Sequence, residues 1–151
     1  MTGSDMYHYT SCGLDNVWLK NGFNVKDTPY GQAVSVHDIE NLHRLIGLCL
    51  VNNEGIISGQ MVRFLRKELD VSQSQLATML GVSENSVRGW ENDRTPISGP
   101  ADRMLRLIYR EHVSGDGTIR DLIDRVGKIN RGMHQDRIEM EETASGWKSA
   151  A

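Results

Sequence analysis

Disulfide chemistry is the first thing this sequence lacks. Its 151 residues hold two cysteines, Cys12 and Cys49, too few and too far apart for a stapled framework. Reduced thiols in a cytoplasmic protein are therefore expected. Long apolar runs are missing too: Leu45 to Val51 is the longest and Gly47 interrupts it, whereas a membrane helix needs about 20 apolar residues. The opening MTGSDMYHYT has neither a basic n-region nor an apolar h-region, so no signal peptide is expected. Positive charge is also scarce. Seventeen Lys and Arg face twenty Asp and Glu, for a net charge of −3, the opposite of the basic footprint that phosphate neutralisation usually leaves. The deficit is uneven, however. Residues 58–113 hold eight Lys/Arg against seven Asp/Glu, while 1–57 hold three against six and 114–151 six against seven. Steering depends on the local field, so the near-neutral middle is not excluded from binding an anion.

Signatures of catalysis and metal binding are likewise wanting. No phosphate loop and no G-x-S-x-G occurs, and no nucleophile–base pair stands beside an oxyanion donor, so no enzyme and no cofactor are expected. His8, Cys12, His37, His43 and Cys49 crowd the first 50 residues without any C-x-x-C or H-x₃-H spacing. Structural zinc sites use such paired ligands, and no metal is expected.

The patterning present divides the chain into three. Residues 1–57 read as a β-containing extension with one helix. Val17–Lys20, Asn21-Gly22 and Phe23–Val25 form a hairpin pattern in which Asn-Gly suits a type I′ turn. Met6–Thr10 is a further strand, and Thr28-Pro29-Tyr30-Gly31 turns the chain into a strand over Gln32–Val36. Asp38 then caps a helix to about Asn52, with Ile39, Leu42, Leu45, Ile46 and Cys49 as its apolar stripe. Residues 58–113 carry helices at 58–69, 73–80, 84–91 and from Ser98 and Pro100 onward. Met61, Phe64 and Leu65 face inward on the first of these, and Ala101, Met104, Leu105 and Ile108 on the last. Residues 114–151 begin at a break, Ser114–Gly117. Thr118–Arg131 then repeats Ile119, Leu122, Ile123, Val126 and Ile129 at helical spacing, a candidate dimerisation element. Arg137–Thr143 alternates as a half-buried strand that would join the N-terminal sheet, with Trp147 as an anchor.

One stretch names a function. In SQSQLATMLGVSENSVRGWE, residues 72–91, Ser72 and Gln75 make a capping-box pattern, and Leu76, Ala77 and Leu80 line one helical face. Gly81 ends that helix in a left-handed conformation, Val82 plugs the turn, and Ser83 caps a second helix packed through Val87 and Trp90. Two short helices joined by a glycine turn form the unit that sets its second helix in the DNA major groove. On that helix Glu84, Asn85, Arg88 and Gly89 fall on the outer face. Asn85 suits adenine, Arg88 guanine or a phosphate, and Glu84 a cytosine amino group. Glu84 equally suits a first-turn acid that favours the helix dipole. Ser72 equally suits a plain cap, and Arg94 a solvated loop charge.

Ser72-Gln73, Leu76-Ala77, Gly81-Val82-Ser83, Val87 and Trp90-Glu91 resemble the helix-turn-helix of Cro/CI-type (XRE) transcriptional regulators of bacteria and phage. The resemblance runs from Leu65-Arg66 through Asn92 and more loosely to Val113. It implies an α+β chain: a λ-repressor-like bundle of about five helices carrying a small antiparallel β region. It also implies base contacts from Glu84, Asn85 and Gly89, although Gly89 has no side chain with which to read. Phosphate contacts are implied from Ser72, Gln73, Ser83, Ser86, Asn92 and Arg94, and a structural ion pair between Arg66 and Glu91. The partner is then double-stranded DNA, bound by a homodimer acting as a repressor. Two other readings stay open: an antitoxin-type protein that controls its own promoter while another segment masks a toxin, and a helix-turn-helix kept only as a protein-binding scaffold.

Overall fold

The protein is described here from a computed structural model, which places residues 6–115 and 140–149. The order of elements is β1 (Tyr7–His8), β2 (Trp18–Leu19), β3 (Phe23–Thr28), β4 (Gly31–Val36), α1 (Ile39–Asn52), α2 (Gly59–Glu68), α3 (Gln73–Leu80), α4 (Glu84–Glu91), α5 (Gly99–Ser114), β5 (Met140–Thr143) and β6 (Gly146–Ser149). Among the described residues, five helices and small antiparallel strand pairs make this an α+β helix-turn-helix fold. The strands pair as β1 with β2, β3 with β4 and β5 with β6.

The centre of the bundle is Val62, Leu65, Leu76, Val87, Leu105 and Ile108, each with no exposed surface. One such residue or more comes from each of α2 to α5, so burial of these side chains, roughly 1.5–3 kcal/mol apiece, holds the four together. The N-terminal extension contributes to the same core through Tyr9, Leu14 and Leu19. Polar ties reinforce it. Tyr9 Oη lies 2.8 Å from His43 Nε2, His43 Nδ1 lies 3.5 Å from Glu68 Oε2, and the Asp15 N–H donates to Gln60 Oε1 at 3.1 Å. Arg106 on α5 clamps the end of α1. It donates to the carbonyls of Val51, Asn53 and Gly55 while its Nε holds Asp102 at 2.6 Å.

Glycine permits two close approaches. A Cβ on Gly47 would lie 2.1 Å from Tyr109 Oη, and one on Gly59 would lie 2.2 Å from the Trp90 carbonyl oxygen. Gly47 lets α5 rest on α1, and Gly59 lets the start of α2 meet the end of α4.

Several expectations need correction. Asn21-Gly22 does not close a hairpin: β2 pairs back with β1, Tyr7 opposite Leu19, and only Gly22 of the two has positive φ. The burial of Tyr9, Leu14 and Leu19 together outweighs the local turn preference, and His8 stacks on Trp18 with ring centres 4.0 Å apart. The hairpin instead turns at Pro29-Tyr30, with Thr28 opposite Gly31 and β3 in register with β4 along six pairs. Asp38 does precede α1, but with φ 47° and no side-chain cap bond. The apolar stripe of α1 is inward only in part, through Leu42, which packs against the core, and Ile46. Ile46, Gly47, Leu50 and Val51 are buried, whereas Ile39, Leu45 and Cys49 are exposed, because small Gly47 is the side that admits Tyr109. Met61 and Met104 are half-buried at the rim of the core. The strand of Arg137–Thr143 is described only from Met140, where it pairs with β6 rather than the N-terminal strands, and Trp147 is exposed. The expected helix at 118–131 lies outside the described residues.

Candidate nucleic-acid interface

The two motif helices are set by their caps. Ser72 Oγ accepts from the Gln75 N–H at 3.0 Å, and Gln75 Oε1 accepts from the Ser72 N–H at 2.8 Å, so two otherwise orphaned donors are satisfied reciprocally. Gly81 ends α3 at φ 71°. The turn is three residues long, and the Val82 N–H returns to the Ala77 carbonyl at 2.9 Å, which aims the chain across rather than along α3. Ser83 Oγ then accepts from the Ser86 N–H at 3.1 Å to start α4.

Packing fixes the rotation of α4. Val87 and Trp90 are buried, so the opposite side of the helix faces outward. Asn85 and Arg88 are exposed there, and Asn85 makes no side-chain hydrogen bond to any described residue. Glu84 is less open than expected. One turn before Arg88, it accepts from the Arg88 guanidinium, leaving both side chains a little under half exposed. Gly89 departs from the expectation: it is buried. Its carbonyl accepts from the Arg94 N–H at 2.9 Å, and a Cβ there would meet Thr95 Oγ1 at 3.3 Å. The loop after α4 folds over this position, which faces the protein rather than solvent.

The predicted phosphate-contacting residues divide by exposure. Ser72, Ser83, Asn92 and Arg94 are exposed, and Ser86 is half-buried with its hydroxyl 2.9 Å from that of Ser83. Asn92 ends α4, and its N–H donates to the Arg88 carbonyl at 3.0 Å. Gln73 is half-buried and turned inward, its Nε2 donating to Glu91 Oε1 at 3.1 Å.

That contact belongs to a cluster under the two helices. Glu91 has no exposed side-chain surface. Arg66 donates to it twice, from Nε at 2.7 Å and from Nη2 at 3.1 Å, and fastens the α2–α3 loop through Nη1 to the Val71 carbonyl at 3.1 Å. Arg63 adds a third cationic contact at 3.3 Å. Burial alone would push the Glu91 carboxyl upward, but the hydrogen bonds from Arg66, Gln73 and Arg63 and the charge of Arg66 leave it below its ordinary value. The Arg66–Glu91 pair was legible in the motif. The part of Arg63 was not, although its place one turn before Arg66 on α2 is a usable signal.

Of the early histidines and cysteines, Cys49 is exposed and Cys12 Sγ lies 3.8 Å from the Tyr9 carbonyl oxygen. His8 lies 2.7 Å from the Asp15 carbonyl oxygen, His37 lies 2.9 Å from Asn24 Nδ2, and His43 joins Tyr9 to Glu68.

Residues 62–101 match the family model described as Helix-turn-helix. The match begins inside α2, runs through both motif helices and ends in the first turn of α5. With the capped helix pair and the outward face of α4, it marks the protein as a DNA-binding regulator of helix-turn-helix type, similar to the Cro/CI-type regulators. No curated protein and no solved structure matches the chain.

Proposed function

We propose that the protein is a sequence-specific transcriptional repressor that binds palindromic operator DNA as a homodimer. Asn85 and Arg88 read base edges in the major groove, and Glu84 sets the rotamer of Arg88 or accepts from a cytosine. Backbone N–H groups at the start of α3, together with Ser72, Ser83, Ser86, Asn92 and Arg94, meet phosphates and fix the register. Gln73 helps indirectly, by holding Glu91. One observation carries this reading: α4 buries Val87 and Trp90 while leaving Asn85 and Arg88 in solvent. A dimer follows from geometry, since a single helix reads only about four base pairs and two half-sites one helical turn apart give useful affinity.

Selection of bound duplexes from a random pool, with the Arg88→Ala variant alongside, tests the reading. Enrichment of an inverted repeat that the variant loses or degrades at one position in each half-site supports it. No enriched repeat at moderate salt overturns it.

A second reading, an antitoxin-type protein, draws support from the β3–β4 hairpin. Its residues are mostly exposed, with Tyr30 99% and Val25 48% open, as a partner-binding arm would be. Co-purification of a small protein encoded beside it, lost on deleting residues 23–36, favours that reading.

A further inference from the structure

The N-terminal extension meets α2 at a cleft that the helix-turn-helix alone would not make. About 320 Å³ in volume, it sets Ser11, Cys12 and Gly13 of the β1–β2 connection against Gln60, Arg63 and Lys67 of α2. The connection is held there by the Asp15 N–H, which donates to Gln60 Oε1 at 3.1 Å, and by Leu14, which is buried in the core. Arg63 and Lys67 are four residues apart on one helix, so their side chains rise from the same face. Both are exposed. Arg63 meets Glu91 through Nε alone, and the Lys67 ammonium has no partner among the described residues. The hydroxyl of exposed Ser11 has none there either.

Position decides what this cleft can meet. Arg63 Nε and Gln73 Nε2 donate to the same oxygen, Glu91 Oε1, at 3.3 and 3.1 Å, so Arg63 stands beside Gln73 at the start of α3. On the other rim, Asp93 lines the cleft, and it lies between Asn92 and Arg94 in the loop after α4. The two groups of residues proposed to meet phosphates therefore flank it. Its acids leave the cationic side free. Glu91 is wholly buried and is already bonded by Arg66 and Gln73. The Asp93 carboxylate sits at the start of α2, where its Oδ1 would be 2.6 Å from a Cβ on Gly59. Lys67 is eight residues further along that helix, a rise of about 12 Å, with Arg63 between them.

We propose that this cleft takes a backbone phosphate of bound DNA, next to those met by α3 and by the loop after α4. The Lys67 ammonium neutralises it, and the open end of Arg63 and the Ser11 hydroxyl donate to it. The free polar side chains of the facing walls, Lys67, Arg63 and Ser11, can all donate, which suits a phosphate. Such a contact carries no base information. The inference rests on the DNA-binding reading and adds to it a contact outside the motif, one wall of which is the N-terminal extension.

Salt dependence and a thiol footprint, both on the full-length protein, test it. Lys67→Ala is expected to lower the slope of log K against log salt by about 0.9, equally on every duplex, one of random sequence included. Arg44→Ala, which removes the same charge from the exposed side of α1, is expected to leave the slope unchanged. In protein carrying Cys12→Ser and Ser11→Cys, the introduced thiol should be alkylated several-fold more slowly in saturating DNA, while Cys49, exposed on α1, keeps its rate. Failure of the sequence-specific reading is told apart by the wild type itself, which would then show no preference among duplexes while the slopes still report on Lys67. A slope that Lys67→Ala does not move, or that Arg44→Ala lowers as much, overturns the proposal, as does an introduced thiol that DNA leaves equally reactive.

Discussion

Arg66 Nε lies 2.7 Å from Glu91 Oε2 while Arg66 Nη2 lies 3.1 Å from Oε1, so α2 grips the last residue of α4 with both arms of a guanidinium. The carboxylate is wholly buried, and its pairing therefore governs where α4 sits. Arg66→Ala is expected to cost roughly 3–5 kcal/mol, because a charge is left buried without its bidentate partner. Arg63 is nearly half exposed, and Arg63→Ala should cost far less. Urea denaturation of the two variants checks the ranking.

The same pair sets an acid limit. The Glu91 carboxyl is held below its ordinary 4.5 in the folded protein. Its contribution is thus complete above that value and is lost as pH falls through the lowered one, where the folded state must take up a proton. Stability measured against pH should fall on the acid side in the wild type. Glu91→Gln should be less stable at neutral pH and show a flatter acid limb.

Gly47 and Tyr109 share one space. Gly47→Ala places a methyl within 2.1 Å of Tyr109 Oη, and Tyr109 is buried with its hydroxyl pushed up to about 12 by that burial. Overpacking of this kind costs roughly 1–3 kcal/mol. Combining it with Tyr109→Leu, which vacates the ring, should cost less than the sum of the two single changes. An additive double-mutant cycle would show that the two sites are independent.

Arg106 closes the loop that joins the extension to the bundle. Arg106→Ala removes the donor to three carbonyls and the partner of Asp102, with an expected loss of roughly 1.5–3 kcal/mol. Limited proteolysis should then cut at residues 53–56 before any other internal site.

On DNA, Arg94→Ala and Arg88→Ala should differ in kind. Loss of a phosphate contact lowers affinity for all sequences alike and reduces the slope of log K against log salt by about 0.9. Loss of a base contact removes roughly 1–3 kcal/mol of discrimination at one position in each half-site. Binding titrations on matched and mismatched duplexes at several salt concentrations separate the two.

The helix-turn-helix was legible because its signals are local. Ser72, Gly81 and Ser83 each act within four residues of themselves, and α3 and α4 begin and end where those residues imply. The extension was harder to read because distant contacts decide it. Asn21-Gly22 promised a hairpin, yet the burial of Tyr9 and Leu19 in the core turned β2 toward β1. The stripe on α1 was apolar on both sides, and only Tyr109, more than 50 residues away, selects the Gly47 side. Gly89 fell on the outer face by helical spacing, and a loop that spacing does not describe covers it. Gln73 has the composition of a phosphate donor, but the buried charge of Glu91 turns it inward.

The central claim is that Asn85 and Arg88 on α4 read sequence. The most direct measurement is the ratio of affinities for a selected operator and a scrambled duplex at one salt concentration, for wild type, Asn85→Ala and Arg88→Ala. The expected wild-type ratio is at least about 10³, falling roughly 5- to 150-fold in each variant while both remain as stable as wild type. A wild-type ratio near one, or a ratio that neither substitution moves, would contradict it.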